Sequence, residues 1–277
     1  MTAARDGYQE IVELLIARGP EINTQDEWGP LCWAISKGYQ GIATTPSFRA
    51  AIAGHTELVR LLLDWGSDIN AVDYQGLTIL MCALAGERQE IAMLLIDRGA
   101  DFTLQSATGT TALGIACSKG VEDVARILVA RGADVDHPTS NGCTPLMWWA
   151  SLSQTAMVEF FITNGANPNV CTRNGRSELI AAAGNGKEEV LRLLIGHGVN
   201  VDVMTRQGLT ALMSAARGGF EGCVRVLLDA GADPAVLNEY EDDAVVFARL
   251  HGHEGVVGLL EGVSLLRSRL GLSLSDV

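Results

Sequence analysis

The sequence predicts an all-α solenoid of about eight stacked helix-turn-helix units with short β-hairpin tips, and three observations carry that prediction. The first is a frame that returns every 33 residues, its first position held by Thr45, Thr78, Thr111, Thr144, Ser177, Thr210 and Asp243. Self-similarity at a fixed period of this length marks a stacked-repeat architecture. The second is what each frame contains. Thr210 to Gly231, TALMSAARGGFEGCVRVLLDAG, shows the pattern: a Thr, a Leu two on, an Ala pair, a Gly, then a Val/Leu block ending in Gly. The third is composition: 48% apolar residues with 5% aromatics suit many thin cores of Ala, Leu, Val and Ile. A chain of 277 residues is long for one globular core, but a repeat stack grows unit by unit and escapes that limit.

Taken in order, the first unit (1–25) is partial. Ala3-Ala4 and Gly7 match the Ala pair and the Gly, so the chain begins inside an inner helix, and Ile11-Val12 and Leu14-Leu15-Ile16 supply an outer helix at helical spacing. The expectation is either that Met1 begins a trimmed gene product or that something else covers that end. The second unit (26–72) starts normally at Asp26-Glu27-Trp28-Gly29, but residues 39–54 intervene before its outer helix. Thr45 to Gly54 is itself a good inner-helix sequence, so the insertion reads as a duplicated half-repeat. It is either a tolerated extra loop, since loops accept length cheaply, or a functional protrusion.

Units 73–105, 106–138, 139–171, 172–204 and 205–237 are regular, each with a polar turn at a Gly (Gly76, Gly109, Gly142, Gly175, Gly208), a short inner helix and an outer helix. The outer helices close on Gly66, Gly99, Gly132, Gly165, Gly198 and Gly231, where a left-handed residue is wanted. Ala83, Ala116, Ala150, Ala182 and Ala215 let the inner helices approach closely. Trp149 breaks that pattern, and its bulk should either spread its neighbours or turn outward. Unit 238–262 is degenerate, with Glu241 for the turn Gly and Asp243-Ala244-Val245-Val246 for the usual start. Such departures fit a capping repeat that closes a single domain over 1–262. Residues 263–277 carry Leu265, Leu266, Leu270 and Leu272 and form either an amphipathic cap or a partner-binding helix.

The residues carrying the periodicity resemble the ankyrin-repeat family. Thr45-Pro46-Ser47-Phe48-Arg49-Ala50-Ala51-Ile52-Ala53-Gly54-His55 is similar to the TPLHxAAxxGH signature, and Leu61-Leu62-Leu63-Asp64-Trp65-Gly66-Ser67-Asp68-Ile69-Asn70 to the LLLxxGADxN close. The resemblance covers roughly residues 2 to 262 and implies a binding scaffold that meets a protein partner on its concave side, at turn tips and inner-helix edges. Carried over by position, it singles out Tyr74 and Leu77 in the first regular unit, with Val72, Gln75 and Ala85 beside them. Gln105, Ala107, Thr108, Thr110, Ser118 and Lys119 follow in the next unit. Ser140, Asn141, Cys143, Ser151 and Leu152 come after, with Trp148 at the edge. These tips are nearly uncharged. The next two differ: Arg173, Asn174 and Arg176 share one, Arg206, Gln207 and Leu209 the next, and Arg217 sits on the inner-helix edge. Tip residues 33 apart should lie about 10 Å from each other, a spacing at which guanidinium forks suit carboxylates or phosphates. Either these arginines are solvated, some paired with Glu239 or Asp242, or they are the basic part of a contact strip. The expected partner is a protein with an acidic or phosphorylated segment, bound by a monomer.

Catalysis has no candidate set. His251 and His253 with Glu239, Asp242 and Asp243 lack a third ligand at fixed spacing, and His253 occupies the family's Gly-His turn position, where the ring bonds backbone groups. Gly184-Asn185-Gly186-Lys187 lacks the length, the following Ser/Thr and the strand of a phosphate loop. Asp134 and Asp136 lack the remaining spacing of a calcium loop. The expectation is therefore a non-catalytic adaptor, inhibitor or targeting module without metal or cofactor; the alternative is a regulatory fragment of a larger multidomain enzyme or effector. The net charge of −13 argues against nucleic acid. No apolar run approaches the ~18 residues of a membrane span. Six cysteines without a CxxC pair read as reduced thiols, and so an intracellular location, cytoplasmic or nuclear, is expected.

Overall fold

The computed structural model describes residues 46–270; the partial first unit, the start of the second and the last seven residues lie outside them. Fourteen helices form seven pairs among the described residues. Two compact units divide between Ser140 and Asn141. The first holds α1 (Pro46–Ala53), α2 (Thr56–Asp64), α3 (Ile79–Ala85), α4 (Gln89–Asp97), α5 (Ala112–Ser118) and α6 (Glu122–Ala130). The second holds α7 (Pro145–Ser151), α8 (Thr155–Thr163), α9 (Glu178–Gly184), α10 (Glu188–Gly196), α11 (Ala211–Gly218), α12 (Glu221–Asp229), α13 (Ala244–Leu250) and α14 (Glu254–Leu270). Odd-numbered helices are the inner ones and even-numbered the outer.

The first position of the 33-residue frame is an N-cap. Side-chain oxygens of Thr78, Thr111, Thr144, Ser177 and Thr210 accept from the amides of Met81, Gly114, Met147, Ile180 and Met213. A capping oxygen of this kind satisfies an otherwise orphaned helix donor and is worth about 1 kcal/mol. Asp243 caps α13 in the same way through Val246, so the apparent departure of the last unit conserves the chemistry of the site it replaces.

Each inner helix is only two turns long and stands through burial. In α3, Ile79 to Leu84 are all buried, and in α5 Ala112 to Cys117 are. Helices this short are marginal alone; packing against the next pair supplies their stability. α1 shows this within the segment expected to interrupt the second unit. Phe48, Ala50 and Ala51 are fully buried, and α1 packs on α2 and α3. The second half of that segment is thus the inner helix of the first described pair.

Outer helices carry ion pairs on their exposed faces. In the first unit Asp64 pairs with Arg98 at 2.6 Å and Asp97 with Arg131 at 2.7 Å, stepping from one repeat to the next. In the second, Glu188 pairs with Arg192 at 2.7 Å and lies over Gly222, where a methyl group would strike its carboxylate. Beneath it, burial first and the Glu188 carboxylate second push the Cys223 thiol up to about 11.

Trp149 does not turn outward. Its ring is 1% exposed, 6.4 Å from that of Phe161, and fills the core between α7 and α8 with its Nε1 lacking a hydrogen-bond partner. The hairpin tips contract to tight turns. Thr172 donates to the Arg176 carbonyl at 2.9 Å and Thr205 to Leu209 at 3.0 Å. Only isolated bridges, Val72–Thr78 and Cys171–Ser177, stand where strands were expected among the described residues. The turn is too short to extend the ladder further. Glu241, at the last tip, keeps the left-handed turn conformation without being glycine, at φ 62°. The cap and tail expected over 263–277 begin inside α14, which runs without a break through Leu270.

Candidate functional site

Backbone bonds stitch each tip to the next. In the first unit Ala107 donates to the Gln75 carbonyl at 2.7 Å and Ser140 to Thr108 at 2.9 Å. In the second, Arg173 donates to Asn141 at 3.2 Å, Arg206 to Asn174 at 3.1 Å, and Glu239 to Gln207 at 3.2 Å. Glycine makes room for this stitching where the tips approach most closely. Gly175 has φ +77°, and a Cβ there would sit 3.0 Å from the Arg206 nitrogen and the Thr205 Cα. The same bonds fix where the tip side chains stand.

In the first unit Tyr74 is 66% exposed, and its hydroxyl accepts from Gln75 Nε2 at 3.2 Å. Val72, two residues earlier, is exposed too, whereas Leu77 is half-buried and donates its amide to Asp73 Oδ1 at 2.9 Å. Lys119 pairs with Glu87 at 3.8 Å and is not a free cation.

The second unit sets two of the predicted arginines on adjoining tips. Arg173 and Arg206 occupy the same place on adjoining tips. With Asn174 bonded to the Arg206 amide and one residue from Arg173, their Cα atoms are at most about 10 Å apart. Arg176 and Gln207 are exposed on the same two tips, and Arg217 is exposed at the end of α11, its carbonyl accepting from His253 Nε2 at 3.1 Å. Trp148 is half-buried, at the edge of α7.

Charge pairing separates these arginines from the rest. Arg60, Arg98, Arg126, Arg131, Arg192, Arg225 and Arg249 each pair with a carboxylate, and Arg88 donates to the Ile52 carbonyl at 3.3 Å. Among the described residues no ion pair engages Arg173, Arg176, Arg206 or Arg217. Neither Glu239 nor Asp242 pairs with them: Glu239 holds the Tyr240 hydroxyl, raising its pKa, and Asp242 donates its amide to Asn238 Oδ1 at 2.9 Å.

The frame also marks residues that position-by-position transfer missed. Cys171, Met204 and Leu237 hold the place that Val72 holds, and Met204 and Leu237 are 50% and 54% exposed. Thr205 turns its hydroxyl inward, accepting from the Leu209 amide at 3.0 Å. Tyr240 and Leu250, both largely exposed, extend the apolar surface at the last repeat.

His253 is engaged with backbone, and His251 Nδ1 lies 2.9 Å from the Phe247 carbonyl. Among the described residues no group of three metal-binding side chains occurs, and no helix is long and apolar enough to cross a membrane.

Short capped helix pairs, left-handed glycine turns and tips stitched at a constant interval define a class: a stacked helical-repeat protein. The chain matches the ankyrin repeats (3 copies) family at residues 40–106, 90–170 and 147–238. It belongs to the ankyrin-repeat family. Ankyrin repeats are in general protein–protein interaction modules and typically non-catalytic. No curated protein sequence matches the chain.

Proposed function

We propose that this chain is a non-catalytic recognition module, an adaptor, inhibitor or targeting device. It holds a partner protein along its turn tips and inner-helix edges, the side that is concave in proteins of this family. The supporting observation is the selective pairing of its arginines. A chain of net charge −13 has carboxylates to spare, and among the described residues Arg173, Arg176, Arg206 and Arg217 nonetheless take none. An exposed ion pair is worth only a few tenths of a kcal/mol, so leaving arginines unpaired costs little in the free protein. It keeps their forks open for an acidic or phosphorylated partner, and arginine and tyrosine are the side chains on which binding energy concentrates.

The test is affinity capture from the source cell with the intact chain and with Arg173→Glu/Arg206→Glu, matched for circular dichroism and melting temperature. A partner held by the first and lost by the second supports the reading. A partner held equally by both removes the arginine tips from it.

A further inference from the structure

Taking the recognition reading as given, we infer that the second unit binds an extended peptide carrying two carboxylates and one cation at three-residue steps. Three features of the tips lead there.

The tip places held by Arg173, Arg206 and Glu239 repeat at one interval, because the same backbone bond joins each tip to the next: Asn141 to Arg173, Asn174 to Arg206, Gln207 to Glu239. That interval is at most about 10 Å between Cα atoms. A polyproline II chain brings every third side chain to the same edge and rises about 9.3 Å over three residues. A β-strand offers same-side steps of only about 6.6 or 13 Å. Repeats packed at the usual helix spacing of about 10 Å bring the interval close to that bound, which suits a polyproline II ligand lying across the tips.

The charges along this row are plus, plus, minus. Arg173 and Arg206 are exposed and free of ion pairs among the described residues, and Glu239 is exposed at the third place. A complementary ligand carries acid, acid and base. The glutamate does more than end the site: it repels a third acid and so sets the register, a negative element against polyanions. Each guanidinium stands on its own turn and faces one planar carboxylate, for which its fork is matched.

Apolar contact completes the surface. Met204 and Leu237 lie two residues before Arg206 and Glu239, and each is about half open to solvent. The two residues between successive charges of the ligand meet this row, which favours proline and leucine there.

The probe is a fluorescein-labelled peptide with Glu, Glu and Lys at three-residue steps and Pro-Leu between them, made in both chain directions. Binding is read by fluorescence anisotropy. The expected result is saturable binding in one direction. Affinity should fall at least tenfold when the acids are replaced by Gln, when they are moved to adjacent positions, or when the protein carries Arg173→Glu/Arg206→Glu. Met204→Ser/Leu237→Ser should weaken binding several-fold without changing its salt dependence. A peptide with Lys at all three charged places should bind the charge-reversed variant and not the intact chain, which also shows that the variant is folded. Absence of binding in both directions overturns the proposal, as does equal binding of the adjacent-acid peptide. Phosphoserine in place of Glu binding more tightly overturns the choice of carboxylate. If the charge-reversed variant still loses its cellular partner while no peptide binds, the recognition reading stands and only the ligand assigned here falls.

Discussion

Gly175→Ala isolates the contact that holds two arginine tips in register. Gly175 and Gly198 have nearly the same backbone conformation, φ +77° and +75°, but different surroundings. A Cβ at 175 would meet the backbone of Thr205 and Arg206 at 3.0 Å, whereas nothing lies within 4 Å of one at 198. Alanine in the left-handed region costs about 1–2 kcal/mol, and the stiffer unfolded chain returns about 0.4–1 kcal/mol. Gly198→Ala should therefore destabilise by about 1 kcal/mol. At 175 two further terms appear. The Arg206 amide moves away from the Asn174 carbonyl, forfeiting about 1 kcal/mol, and forcing a methyl group against backbone adds about another 1 kcal/mol or more. The sum is about 3 kcal/mol. Urea unfolding followed by circular dichroism measures both variants, and hydrogen exchange at the Arg206 amide reports the local opening that only Gly175→Ala should cause. If the two variants lose the same stability within about 0.5 kcal/mol, the tips are not held by close backbone packing. The spacing argument for Arg173 and Arg206 would then fail.

Thr210→Ala should cost about 1 kcal/mol in urea unfolding while Thr210→Ser costs little; equal losses would show that the hydroxyl accepting from Met213 is not what matters there. Trp149→Ala empties the space beside Phe161 and should cost about 3–5 kcal/mol, so a loss below 1 kcal/mol in the same assay would contradict the burial described. Burial first and the Asp73 carboxylate second push the Cys82 thiol from 9.0 up to about 12. Between those values the unfolded chain releases a proton that the folded chain keeps, so stability, intact below pH 9, should fall as pH rises toward 12. Cys82→Ala should remove part of that slope in melts across this range, and an unchanged slope would count against the shift.

Much of this was legible in the sequence because a repeat states each rule several times. The Gly after each outer helix and the hydroxyl before each inner helix are local requirements of a turn and a cap, and six copies of each reveal them without tertiary information. Asp243 looked like decay only because its residue type changed; its oxygen does what a threonine's does. The direction of Trp149 was not legible, since whether a large ring turns in or out depends on the room beside Phe161. Nor was the state of the arginines, because pairing is decided by which carboxylates come within reach across repeats. Glu239, next in the frame, turns to Tyr240 instead. Met204 and Leu237 were missed for a smaller reason: the place held by Val72 was followed into the next repeat and not to the end of the row.

Glu241 settles a question of growth. At Gly142, Gly175 and Gly208 the turn glycine leaves room for the following turn to press in, and a Cβ there would come to 3.1, 3.0 and 2.8 Å from its backbone. At 241 that atom is present, on a backbone still bent in the glycine manner. A further turn packed as closely as at Gly208 would have to give way to it. Replacing Glu241 with glycine removes that side chain, a natural first substitution for lengthening the array by design.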